Sequence, residues 1–134
     1  MTELNKQLLF AAGPSIFRKD SHIVKTATID CSDGWLSILL DLVIKLEARN
    51  SKLPYHQRLG VMQIKEKFGT LRFYVDQLEG LDEQDIQDAE EKSTITCEDC
   101  GARGFLFDDG WMRTLCDPCV ALWKIHRGRH EISH

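Results

Sequence analysis

No run of about 18 apolar residues, the length a membrane-spanning helix needs, occurs in the 134-residue sequence. Apolar stretches such as Leu39-Leu40 and Leu42-Val43-Ile44 are cut short by Asp41 and Lys45. A secretory leader is not expected either: Leu8-Leu9-Phe10-Ala11-Ala12 has no basic flank and stops at Gly13-Pro14. A cytoplasmic protein with no membrane partner is therefore expected. Excess positive charge is lacking too. With 17 Lys and Arg against 21 Asp and Glu the net charge is −4, so the whole molecule has no cationic field to attract phosphate, and any nucleic-acid contact has to be local. There is no internal repeat and no low-complexity tract. Finally, the five cysteines do not make an even set: four fall in two Cys-x-x-Cys pairs and Cys31 stands alone, a pattern that suits metal in a reducing compartment better than a disulfide framework.

What is present is enough apolar material, 43% of the chain, for one core, and we expect a single domain over residues 1–134. Residues 1 to about 31 show little periodicity and suggest short extended pieces around Ile23-Val24 and Thr26-Ala27-Thr28-Ile29. Ser32 and Asp33 offer N-cap oxygens to a helix over about 34–49, whose stripe of Leu36, Leu39, Leu40, Val43 and Leu46 is widened by Trp35, Ile38 and Leu42. Two alternating segments, Val61 to Glu66 and Leu71 to Val75, predict a β-hairpin. Met62 and Ile64 would join Leu71, Phe73 and Val75 on its apolar face, leaving Lys65 and Arg72 on the wetter one.

Residues 76–99 carry ten acids against one base, Lys92, and with Ile86 and Ala89 as their only apolar stripe they predict a surface helix over about 82–92. Such a run is ordinarily a solvated face, though it is also able to present a patch to a basic partner.

Cys97-Glu98-Asp99-Cys100 is followed after fifteen residues by Cys116-Asp117-Pro118-Cys119. Each pair has the spacing at which a tight turn aims two thiolates at one ion, and Gly101 suits a turn with positive φ. Phe105 to Phe107 and Trp111 to Leu115 read as strands about an Asp108-Asp109-Gly110 turn, and a helix should end near Gly128. Knuckle, hairpin, knuckle and helix describe a zinc ribbon or treble clef over residues 94–128, appended to a helix-plus-hairpin core over 1–93. The expected cofactor is structural Zn²⁺ held by Cys97, Cys100, Cys116 and Cys119, because a segment this short cannot bury enough surface to fold unaided. Pro118 lies one place later than in a rubredoxin, which argues against iron.

Other chemistries are weaker. His130-Glu131-Ile132-Ser133-His134 formally matches the His-Glu-x-x-His pattern of zinc peptidases, but it ends the sequence and has no third ligand. A His-Asn-His nuclease needs a histidine within the metal hairpin, and none lies between His56 and His126. Lys124, Arg127 and Arg129 are candidate phosphate contacts, with a solvated helix end as the ordinary alternative. Cys31 reads as a buried free thiol.

The segments Cys31-Ser32-Asp33-Gly34-Trp35, Gln63 to Tyr74, Cys97 to Gly101 and Trp111 to Cys116 together resemble a family of small uncharacterised bacterial and prophage proteins, over about residues 29–119. The resemblance implies no activity. It implies that a histidine also serves at the position of Cys119, and that Asp33, Trp35, Lys65, Glu66, Lys67 and Arg72 belong to a shared signature able to form one interaction surface. The expectation is thus an α+β, non-catalytic zinc-stabilised module that binds a protein, an accessory or host-interfering one, with nucleic-acid binding as the alternative and a zinc hydrolase third.

Overall fold

The structure is a computed structural model that describes residues 1–132, with side chains to residue 128. Its centre is helix α3 (Leu36–Asn50), entered directly from a 3₁₀ turn at Asp33–Trp35. Leu39, Leu42, Val43 and Leu46, spaced by three and four, are all buried and form the helix's inner face. Neither Ser32 nor Asp33 caps this helix as expected. The Asp33 carboxylate instead accepts from the Thr2 amide (2.9 Å) and from Asn5 Nδ2 (3.0 Å), and so holds the start of the chain against the turn.

That start, which shows little periodicity in the sequence, is largely helical: of the extended pieces expected, Ile23-Val24 lies in a short helix and Ile29 in the short strand Ile29–Asp30. Helix α1 (Glu3–Ala12) begins at Thr2, whose hydroxyl accepts from the Asn5 amide, and packs on α3; a short α2 (His22–Thr26) follows. In α1 only Leu9 is buried, so its apolar stripe is too narrow to announce the helix. The α1–α2 connection is fixed by α3: Glu47 accepts from the Ser15 amide (2.9 Å) and hydroxyl (2.7 Å). Asn50, 2% exposed, exchanges hydrogen bonds with both backbone groups of Leu59 and so compensates its own burial.

Three strands lie in the order β1-β2-β3. Strand β1 (Ile29–Asp30) runs parallel to β2 (Val61–Lys67), which pairs antiparallel with β3 (Thr70–Val75). Val61, Ile64, Leu71 and Phe73 face the core. Met62 does not: a bulge between Val61 and Gln63 breaks the alternation and leaves Met62 57% exposed. The hairpin closes through two residues with positive φ, Phe68 (53°) and Gly69 (83°), the geometry of a type I′ turn.

Helix α4 (Gly80–Ser93) does more than lie on the surface. Ile86 and Ala89 enter the main core, and the side chains of Ser93 and Glu90 accept from the Leu71 (2.9 Å) and Phe73 (3.1 Å) amides, closing the free edge of β3. Arg49 of α3 pairs with Asp82 (2.9 Å) and Asp85 of α4. The chain then forms a second hairpin, β4 (Phe105–Asp108) and β5 (Met112–Leu115), and helix α5 (Asp117–Ile132). Helix α5 passes through Gly128 and does not stop there; a helix-interior glycine costs only about 1 kcal/mol, and no atom lies near enough to require a turn. A small apolar cluster of Cys97, Leu115, Cys116 and Cys119, edged by Phe107, Val120 and Trp123, is separate from the main core.

Candidate metal centre

The first cysteine pair sits on a knuckle between α4 and β4. Its backbone closes locally, with the Gly101 amide donating to Cys97 O (2.9 Å) and the Cys97 amide to Ala102 O (2.7 Å), and Gly101 takes the positive φ (84°) that the turn requires. The Glu98 amide donates to Thr114 O (2.9 Å), which lays the knuckle beside β5. The second pair sits where β5 ends and α5 begins, with Cys119 in the helix's first turn. The four sulfurs lie within 4.8 Å of one another, and Cys100 and Cys116 are 3.5 Å apart. Sulfurs around a tetrahedral Zn²⁺ at about 2.3 Å are about 3.8 Å apart, so the set is positioned to hold one metal ion.

Electrostatics favour a charged sulfur at one corner. Burial pushes the Cys97 thiol up, but the backbone amides of Cys100, Cys116 and Asp99 aimed at its sulfur outweigh this and bring it to about 7. Cys119 moves the other way, raised by burial and by the neighbouring sulfurs. Cys100 is also raised: the Ala102 amide lowers it, but the Cys116 and Cys97 sulfurs outweigh that. The neighbouring sulfurs thus disfavour ionisation of Cys100 and Cys119, a cost that a bound cation's charge would relieve. Four cysteine sulfurs around one ion would complete a tetrahedral ligand set.

Asp33-Gly34-Trp35 and the Lys67-Phe68-Gly69 turn are the points at which this centre meets the main core. The Gly34 amide donates to Glu98 O (2.7 Å), and a Cβ at Gly34 would lie 2.3 Å from Cys97 O. Trp35, fully buried, donates through Nε1 to Thr96 O (2.9 Å). Across the molecule Thr114 donates its buried hydroxyl to Gly69 O (2.6 Å), and a Cβ at Gly69 would touch Leu106 Cδ1 at 2.9 Å.

The six residues expected to share an interaction surface do not form one. Trp35 is in the core, where no partner reaches it, because its indole is spent on the knuckle. Asp33 anchors α1. Lys65 pairs with Arg72 and Glu66 with Leu71 across the hairpin, so Lys65 and Arg72 share the outer face while Glu66 faces the other way. The Glu66 carboxylate accepts from the Gly69 amide (2.7 Å). Lys67 is exposed, its ammonium 5.7 Å from the Phe68 ring.

Of the candidate phosphate contacts, Arg127 is paired with Asp109 and Lys124 lies over the Phe107 ring. The Arg129 side chain lies outside the described residues, as do the side chains of the His130 to His134 motif. Cys31 is buried, and burial pushes its thiol up to about 12.

Two residues that the sequence did not single out prove central. Glu98, between two ligands, has a side chain only 5% exposed; its Oε2 accepts from the Ser32 amide (3.0 Å), and Oε1 lies 3.2 Å from Arg113 Nη2 without an aligned hydrogen bond. Arg113 in turn holds Asp99 (2.7 Å) and covers the Trp123 ring. Along the chain Glu98 looks like one more acid of an acidic run; only its position inside the Cys-x-x-Cys turn hints otherwise. No helix among the described residues is long and apolar enough to cross a membrane. No family model, no curated protein and no solved structure matches the chain.

Proposed function

We propose that the protein is a non-catalytic, zinc-braced module that binds another protein through its cysteine-bearing segment. The second ligand pair at the start of α5, after a hairpin, supports a treble-clef arrangement, and four thiolates in a closed set support Zn²⁺ over harder ions. The observation that carries the reading is the surface of this small segment. Phe105 (46% exposed), Leu106 (53%), Trp111 (63%), Leu122 (55%) and Ile125 (51%) stand outside a cluster whose interior is largely sulfur. A segment that needs a metal in place of a core, yet displays five large apolar side chains, has them on the outside for a contact.

Nucleic-acid binding is the weaker reading because Arg127 is already neutralised by Asp109, and Glu98, Asp99, Asp108 and Asp117 surround the metal hairpin. The resemblance to bacterial and prophage proteins adds an accessory or host-interfering role to the proposal. A photo-crosslinking residue at position 122 should give one discrete protein adduct in bacterial cells, and the same residue at Asp88 should give none. Oligonucleotide binding with a steep negative salt slope, and no adduct, would replace this reading with the nucleic-acid one.

A further inference from the structure

The four sulfurs of the metal centre are not equally placed. Cys97 is fully buried, Cys116 and Cys119 are 7% and 8% exposed, and Cys100 alone is exposed. An oxidant that arrives from solvent therefore meets the Cys100 sulfur first. The partner it finds next is set by what holds each of the others. Cys97 is clamped: its amide donates to Ala102 O (2.7 Å), its carbonyl accepts from the Gly101 amide (2.9 Å), and the backbones of Gly34 and Gly104 stand so close that a Cβ on either would collide with it. Pairing Cys100 with Cys97 would have to remake that turn. Cys119 is fixed in the first turn of α5.

Cys116 stands just past the end of β5, on the other side of the hairpin from the first knuckle, with its Sγ 3.5 Å from Cys100 Sγ. The two sulfurs need to close by only about 1.5 Å to reach bonding distance. Cys31 is no competitor, because it is buried in the main core.

We propose that Cys100 and Cys116 are a modification site for peroxides, whose disulfide gives up the ion yet keeps the two knuckles tied together; the inference rests on the zinc reading above. The Cys100 sulfur attacks one peroxide oxygen and the O–O bond breaks, which leaves a sulfenic acid on Cys100 and hydroxide. The Cys116 sulfur then attacks Cys100 Sγ, forms the S–S bond and expels the sulfenic oxygen as a second hydroxide. The sulfurs give up two electrons, the peroxide oxygens take them, and two protons from solvent turn the hydroxides into water. Cys97 and Cys119 are left as two ligands, too few for a structural zinc site. The new bond spans the same two segments that the ion spans, so the oxidised protein is metal-free but still closed.

The test treats the full-length, zinc-loaded protein with hydrogen peroxide. Freed zinc is read with a chromogenic chelator. Remaining thiols are alkylated with iodoacetamide in denaturant, and thiols recovered on reduction are labelled with N-ethylmaleimide and located by mass spectrometry. One ion should be freed per disulfide, with N-ethylmaleimide on Cys100 and Cys116 and iodoacetamide on Cys31, Cys97 and Cys119. Dithiothreitol with Zn²⁺ should restore the starting protein, and Cys31→Ala should oxidise in the same way. Exchange at Trp35 Nε1, whose acceptor Thr96 O immediately precedes Cys97, should be slower in the oxidised protein than in reduced protein stripped by a chelator. N-ethylmaleimide on Cys97 or Cys119, zinc freed without a disulfide, a dependence on Cys31, or equal exchange in the oxidised and stripped forms overturns the proposal. A protein that holds zinc and keeps all five thiols through the treatment also overturns it, and leaves the zinc reading standing. A protein that takes up no zinc removes both.

Discussion

At the residue scale the decisive positions are those with no room to change. Gly34 is read from the sequence as the start of a helix and part of a motif, but its reason is a backbone contact with a segment far along the chain. Gly34→Ala would drive a methyl into the Cys97 and Glu98 carbonyls, 2.3 and 2.4 Å from the ideal Cβ. We expect a loss of about 1–3 kcal/mol, seen as a lower urea midpoint at unchanged slope. Thr114→Val keeps volume but removes the donor to Gly69 O; with that carbonyl left buried, about 1–3 kcal/mol should be lost by the same measurement. Cys31, buried and with its thiol pushed up to about 12, should resist iodoacetamide at about pH 8 in the folded protein and react only in denaturant. The clustering of the four cysteines was legible because Cys-x-x-Cys spacing is local chemistry. Glu98 and Arg113 were not, because their meaning depends on which distant segments fold against them.

At the element scale, periodicity identified α3, the β2–β3 hairpin and α4, whose apolar residues recur over several turns or strand positions. Helix α1 escaped because it buries only one residue, and Met62 was misplaced because a bulge carries no pattern of its own. Helix α4 shows a role that composition hides: its polar side chains satisfy a strand edge. Ser93→Ala should therefore cost about 1–3 kcal/mol although it removes one small hydroxyl, because the Leu71 amide loses its acceptor in a buried site. Hydrogen exchange at Leu71 should rise ahead of exchange in α3.

At the scale of the whole molecule, metal centre and main core are fastened at two separate places, Gly34-Trp35 against the knuckle and Gly69 against Thr114. Chelation should consequently loosen more than the cysteine loop. Exchange at Trp35 Nε1 and at the 67–70 turn should increase on metal removal and recover on adding Zn²⁺. Acid should act on the same assembly. Asp33 has a depressed folded pKa because Asn5 and Thr2 donate to it, and Asp109 is also depressed: burial raises it, but Trp123 and Arg127 more than offset that. A depressed carboxylate contributes stability above its unfolded pKa of about 3.9 and loses it as pH falls toward the folded value. Unfolding free energy should thus decline below about pH 5, and Asp33→Asn should flatten that decline.

The contact between Gly34 and the Cys97 carbonyl also has a history in time. The N-terminal half of that contact leaves the ribosome sixty-three residues before its cover does, an interval on the order of 3–13 s at about 5–20 residues per second. Throughout it the Trp35 indole has no acceptor in the knuckle, and the start of α3 is bare. Nascent chains should accordingly pass through a stage in which this end is open to chaperones until the knuckle is made.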